Sequence, residues 1–366
     1  MPLSFDPLTL LVGASGVGKT RILKSIMDLK KIARGEALNG IQWVVEFTAT
    51  SGKEYKWEGE FENKGFSTDS FWDPDNRDKK ENPIIETEKI YINDHIVIDR
   101  NKDRIKFNGA ETVKLSKNES VISLLKEEDQ IKEAHKEFDK VIFNDNAISS
   151  LSLRGFTFDP KIDEKTKKYK SIEAIRDSSE DVKSKLYFAY KNQKQFFDRI
   201  AQAFIDIFPY VEKVKIEPLA RNEKRIPLLL KQMPFVQIKE KGIKNWINEI
   251  NLSSGMFKTL MHIAELYLCP DLSLIMIDEF ENSLGINCMD ELADIVVSTN
   301  RNLQFIITSH HPYIINNIDH THWKIVTRKA GSVVARDASE FKFDQSKHKA
   351  FTQLINLDVY LEGVDA

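Results

Sequence analysis

The sequence predicts an α/β fold: a mixed, largely parallel core sheet flanked by helices, with an antiparallel β-subdomain and a helical insertion. Three observations carry that expectation. Short continuous apolar runs at Leu8 to Gly13, Leu274 to Ile277 and Phe305 to Ile307 have the length and composition of buried parallel strands. From Ile41 to Phe61 aromatic and aliphatic residues alternate with polar ones, the period of a half-buried antiparallel pair. Between Ser171 and Phe208 apolar residues recur at helical spacing, including Ile172, Ile175, Val182, Leu186, Phe197, Ile200, Phe204 and Ile207.

Composition removes several alternatives. The 366 residues suffice for one large domain or two smaller ones, and 41 % hydrophobic with 30 % charged residues describes a folded globular chain. With 53 basic against 56 acidic side chains the formal net charge is −3, so no global basic field advertises nucleic acid, although a local patch stays open. Cys269 and Cys288 can form no disulfide framework and lack metal-ligand spacing, which suits ordinary thiols in a reducing cytoplasm. No apolar run approaches the ~18 residues of a membrane span, and no basic-then-apolar leader opens the chain. A cytoplasmic protein without a membrane partner is expected.

The first strand leads directly into Gly13-Ala14-Ser15-Gly16-Val17-Gly18-Lys19-Thr20, where three of the fifteen glycines fall within six positions. This satisfies G-x-x-x-x-G-K-[ST], and the amphipathic run after it, with Ile22, Leu23, Ile26, Met27 and Leu29, supplies the helix that such a loop requires. Glycines let backbone N–H groups of the loop and the helix N-terminus approach phosphate oxygens closely. Lys19 would neutralise the β- and γ-phosphates of ATP, and the Thr20 hydroxyl would help hold Mg²⁺. Residues 13 to 20 and the adjoining Arg21 are therefore the candidate nucleotide-binding residues of the N-terminal half.

A phosphate loop needs an acidic partner at the end of another strand. Leu274 to Ile277 ends in Asp278-Glu279, a Walker B pattern. Asp278 would hold the magnesium, directly or through water, and Glu279 would polarise a water in line with the γ-phosphate. Upstream, Leu252-Ser253-Ser254-Gly255 precedes an amphipathic run through Met256, Leu260, Met261, Ile263, Ala264 and Leu266. Taken alone this is a capped helix start, since serines and a glycine satisfy the first free N–H groups.

Position adds more, because "LSSGM" so shortly before the acidic strand resembles the L-S-G-G-Q signature of ATP-binding-cassette (ABC) ATPases, with serine for the first glycine and methionine for glutamine. The resemblance implies a P-loop NTPase of ABC type in which Ser253, Ser254 and Gly255 complete the γ-phosphate site of a second protomer. The third strand ends in Thr308-Ser309-His310-His311-Pro312, where this family places a switch histidine. His310 is the aligned candidate for the γ-phosphate contact, and His311 before a proline shapes the turn. Asn316 and Asn317 nearby would suit an HNH-type nuclease, but the segment follows a core strand and lacks the acidic ligands of such a site.

Roughly 230 residues separate Lys19 from Ser253, far more than in transporter-type cassettes. The insertion holds a hairpin around Ser51-Gly52, with Ile41, Trp43, Val45 and Phe47 facing Tyr55, Trp57 and Phe61. These aromatics are expected in a sheet core rather than against nucleic-acid bases. The polar loop Phe71 to Pro83, further short strands, helices from Lys117 to Phe143 and the Ser171 to Phe208 helices follow. The basic stretch Lys165 to Lys170, preceded by Asp163 and Glu164, is expected as a solvated run, with contact to a phosphate backbone as the alternative. Neither long coiled-coil arms nor a zinc hook is present in the pattern. Strands at "FPYVEKVKIEPL" and "IPLLLKQMPFVQIKE" then lead into the signature.

Together these features resemble the compact RecF/SMC-like ATPases of bacterial anti-phage defence systems, including the ATPase subunits of Septu (PtuA) and PARIS and the ATPase half of OLD and Gabija nucleases. Only about fifty residues follow Pro312, too few for a nuclease domain. The resemblance thus implies a homodimer or higher homo-oligomer built through a nucleotide sandwich, controlling a separate nuclease or toxin effector. A RecF/SMC-like DNA-repair ATPase and a nucleotide-gated scaffold with negligible turnover are the alternative readings, and DNA remains a possible partner. Two departures from the family pattern stand out: Phe5 is the one aromatic ahead of the first strand, and neither Gln42 nor Gln130 has the context of a glutamine loop. Expected divisions are an N-terminal lobe over 1–116, a helical lid over 117–208 and a C-terminal lobe over 209–366.

Overall fold

The computed structural model describes residues 3–65, 82–144, 162–218, 233–281, 301–329, 331–344 and 346–364. Most of the Phe71 to Pro83 loop, the "IPLLLK" stretch and Cys288 lie outside them. The chain forms two compact units, one of residues 1–20 with 143–366 and one of residues 21–142.

Strand β1 (Leu8–Val12) is buried along its whole length, as its unbroken apolar sequence requires. The chain then lays down the second unit as a six-stranded antiparallel meander of β2 (Gln42–Thr48), β3 (Glu54–Phe61), β4 (Ile85–Ile92), β5 (His95–Asn101), β6 (Ile105–Phe107) and β7 (Ala110–Glu111). The β2–β3 hairpin pairs Val45 with Trp57 and Phe47 with Tyr55. Trp43, Tyr55, Trp57 and Phe61 are buried, so the alternating aromatics form the core of this unit, packed against Val121, Ile131 and Phe138 of two short helices. Beneath them the wholly buried Glu88 carboxylate accepts from Trp57 Nε1, Ser120 Oγ, Val121 N–H and Arg100 Nη1. Arg100 also donates through Nη1 and Nη2 to the carbonyls of Ser116, Lys117 and Glu119, so the buried pair is enclosed by further hydrogen bonds on both sides.

Beyond β8 (Val141–Asn144) come helices Ile162–Lys168, Ile172–Arg176, Val182–Asn192 and Lys194–Ile207. Helices of the 117–208 stretch are thus shared between the two units. Lys167, Lys168 and Lys170 are exposed, while Lys165 pairs with Glu180 at 2.9 Å. Phe197, Ile200, Phe204 and Ile207 bury one stripe of the last helix, at the helical spacing read from the sequence. A small antiparallel sheet follows, of β9 (Val211–Pro218), β10 (Pro234–Glu240) and β11 (Ile247–Asn248), and leads to the long helix Ser254–Leu268.

The main sheet is completed by β12 (Leu274–Ile277), β13 (Gln304–Thr308), β14 (Trp323–Lys329) and β15 (Ser332–Asp337), in the order β15-β14-β1-β13-β12-β8. Pairs β14–β1, β1–β13 and β13–β12 are parallel, and β14–β15 is an antiparallel hairpin. The expected mixed α/β fold is the one observed. Because β13 is inserted between β1 and β12, with Leu10 opposite Ile307 and Ile307 opposite Ile277, the three strands end side by side. Their carboxyl ends are where α/β sheets present ligand-binding residues. Among the described residues no helix is long and apolar enough to cross a membrane.

Candidate nucleotide site

The loop from Gly13 to Gly18 joins β1 to the helix Lys19–Ala33, whose first residue is the motif lysine. Two glycines are dictated by space. A Cβ on Gly13 would lie 2.4 Å from the Val326 carbonyl oxygen, and one on Gly18, at φ +112°, would lie 2.6 Å from Val333 Cγ2. Strands β14 and β15 therefore pack directly against the loop.

Lys19 is buried, and its ammonium donates to the loop's own carbonyls, Gly13 O at 2.8 Å and Ala14 O at 2.9 Å. Burial pushes its pKa below the usual lysine value, and the carboxylates of Glu281, Asp278 and Glu279 oppose that shift. A buried ammonium held by the carbonyls of a glycine loop is a ready partner for phosphate oxygens. Thr20 Oγ1 donates to Asp278 Oδ1 at 3.1 Å, across 258 positions of sequence. A hydroxyl and a carboxylate converging in this way match a Mg²⁺ site, since the ion takes one or two protein oxygens and keeps the rest of its shell for water and phosphate.

The acidic turn is held by the end of β13. Thr308, fully buried, donates through Oγ1 to Asp278 Oδ1 at 2.7 Å and accepts from the Glu279 N–H at 2.7 Å. Phe280 N–H donates to the Thr308 carbonyl at 3.0 Å. These bonds keep Glu279 at φ +46°, a left-handed conformation that a glutamate adopts only when its surroundings impose it. One residue further along, Ser309 Oγ donates to Glu281 Oε2 at 2.7 Å and His310 N–H donates to Glu281 Oε1 at 3.0 Å. The His310 imidazole is exposed, with Nε2 3.4 Å from Glu281 Oε1. His311 caps the helix Pro312–Asn317, its Nδ1 accepting from Tyr313 N–H at 3.2 Å, so it does shape the turn.

The structure thus brings together Lys19, Thr20, Asp278, Glu279 and His310 at adjacent strand ends. It does not bring the signature to them within the chain. Ser253 caps the helix Ser254–Leu268, accepting from Met256 N–H at 3.2 Å, and Ser253 and Ser254 are exposed. Among the described residues no hydrogen bond joins Ser253, Ser254 or Gly255 to residues 13–20. Arg21 is an exposed residue of the first helical turn. Gln130 accepts from Asn108 Nδ2 at 3.0 Å inside the second unit, and Gln42 lies on β2. Sequence reasoning missed Thr308, Ser309 and Glu281. The available signals were two hydroxyl residues ending a wholly apolar strand and a third carboxylate following Asp278-Glu279 at close spacing.

A glycine loop, a desolvated lysine and a strand-end carboxylate bound to the motif threonine define a P-loop ATPase domain. More particularly, the chain belongs to the family described as "AAA domain, putative AbiEii toxin, Type IV TA system", which it matches over residues 8–316. No curated protein matches the chain. Among solved structures it is similar to an Smc head bound to the C-winged helix domain of ScpA, at 13 % identity and TM-score 0.48, covering 92 % of this chain and 93 % of that one. It is also similar to an Smc head domain with an extended coiled coil bound to the C-terminal domain of ScpA derived from Pyrococcus furiosus, at 14 % identity and TM-score 0.40, covering 92 % of each. The SMC head domain from Thermotoga maritima matches at 13 % identity and TM-score 0.36, again over 92 % of each chain.

Proposed function

We propose that this protein binds ATP·Mg²⁺ between two copies of itself, hydrolyses it, and uses the cycle as the sensor or regulatory subunit of a bacterial anti-phage defence system that controls a separate nuclease or toxin. The observation that carries the nucleotide reading is the Thr20–Asp278 contact beside Lys19. In that reading the ammonium of Lys19 exchanges its two loop carbonyls for phosphate oxygens. Mg²⁺ held by Thr20 and Asp278 would neutralise charge on the β- and γ-phosphates. Glu279 orients the attacking water, and His310 contacts the γ-phosphate.

The exposed cap at Ser253, which among the described residues makes no hydrogen bond to residues 13–20, supports a sandwich in which this helix end serves the partner's nucleotide. The family description, which names a putative toxin of a type IV toxin–antitoxin system, supports a role in such a two-component setting. Lys19→Ala is expected to lose ATP binding, and Glu279→Gln to retain ATP and remain dimeric on size exclusion. Equal turnover in the wild type and both variants refutes the assignment. A nuclease or toxin that co-purifies only with a non-hydrolysable ATP analogue supports the defence role. DNA alone as the retained partner would favour repair.

A further inference from the structure

The acidic turn carries one carboxylate, Glu281, to which the ATPase reading assigns no direct contact with nucleotide or water. Glu281 is nearly buried, its side chain 9 % exposed, and it faces the end of β13 rather than solvent. Its two oxygens take different donors, Ser309 Oγ–H on Oε2 and His310 N–H on Oε1. Ser309 Oγ in turn accepts the His311 N–H at 3.0 Å, so the hydroxyl is used in both directions. On the other flank, Glu279 N–H and Phe280 N–H are both bonded to Thr308. Two loops that are thirty residues apart in sequence are therefore joined by four hydrogen bonds between residues 279–281 and 308–310. Within that seam the backbone of His310 is pinned and its exposed imidazole rests with Nε2 against Glu281.

We propose that Glu281 is a positioning residue for the switch histidine. It fixes the Ser309–His310 turn relative to Asp278 and Glu279 and gives the imidazole a defined resting place from which it reaches the γ-phosphate. The proposal rests on the ATPase reading above for its consequence in turnover, but the resting contact itself does not depend on that reading. Glu281 touches no phosphate in this scheme. It acts through His310, as outer-layer carboxylates orient the histidines of other sites.

The test uses the full chain with Glu281→Ala, Glu281→Gln, His310→Ala and the Glu281→Ala/His310→Ala pair. Glu281→Ala is expected to lower kcat by about 10- to 100-fold, the usual cost of losing such a support. Glu281→Gln should rescue most of the loss, because its amide oxygen accepts from His310 N–H while its NH₂ donates to the Ser309 hydroxyl. If the glutamate acts through the histidine, the double variant is no slower than His310→Ala beyond about twofold, the limit of ordinary additivity error. Independently of turnover, carbethoxylation of His310, read by peptide mass spectrometry, should be several-fold faster in Glu281→Ala than in the wild type. Wild-type kcat in Glu281→Ala, multiplicative losses in the double variant, or unchanged His310 labelling would overturn the proposal. A wild type that hydrolyses no ATP overturns the ATPase reading instead, and the labelling experiment then decides the contact alone.

Discussion

Replacing Thr308 by valine removes one hydroxyl at nearly constant volume, which makes it a sharp probe of how the acidic turn is held. The hydroxyl donates to Asp278 Oδ1 and accepts from Glu279 N–H, both at 2.7 Å, and the residue is fully buried. A hydrogen bond to a charged group contributes about 1.5–3 kcal/mol, and a buried N–H left without an acceptor costs about 1–3 kcal/mol. Against that, Glu279 at φ +46° can relax once released, regaining about 1 kcal/mol of backbone strain. The net loss of stability is about 2–4 kcal/mol, measurable by urea unfolding followed with circular dichroism. If half of it persists in the transition state, phosphate release at saturating Mg·ATP falls by about 5- to 30-fold. Thr308→Ser keeps the hydroxyl and should retain most of both. A valine variant within about 0.5 kcal/mol of wild type, the range of neutral surface changes, and with unchanged turnover would refute the account of the turn.

Gly18→Ala should cost about 1–3 kcal/mol from a Cβ forced to φ +112° and against Val333, with weakened ATP affinity by calorimetry; Val333→Ala in the same chain should return part of the loss. Glu88→Gln turns an NH₂ toward donors and leaves Arg100 buried without its counter-charge, so unfolding free energy should drop by about 3–5 kcal/mol; an unchanged melting curve contradicts the network. His262 is buried on the helix Ser254–Leu268, and burial, with the Lys258 charge adding to it, pushes its pKa down to about 4 from the ordinary 6.5. The folded state then resists protonation that the unfolded chain accepts. Stability is complete above pH 6.5 and falls as pH drops toward 4, by up to about 3 kcal/mol. Comparison with His262→Gln by denaturation across that window should isolate the difference, and parallel pH profiles would exclude it.

The glycine loop, the buried strands and the capped helix Ser254–Leu268 were legible from residues 8–20, 253–277 and 305–308 because each rests on a short-range constraint. Glycine spacing admits a close backbone approach, an apolar run asks for burial on both faces, and Ser253 satisfies an N–H that lies three positions ahead. The alternating aromatics from Trp43 to Phe61 likewise announced a sheet core through their period. What these patterns lack is distance. Nothing local places β13 between β1 and β12, and only that order sets Thr308 beside Asp278 and Glu281 beneath Ser309 and His310. The burial of Glu88 was equally hidden, since a lone glutamate on a strand gives no sign of the arginine, tryptophan and serine that will enclose it. Periodicity and turn chemistry act over a few residues and so are written along the chain. The assembly of the site depends on strand order, which closes contacts across 258 positions and is decided only when the sheet forms.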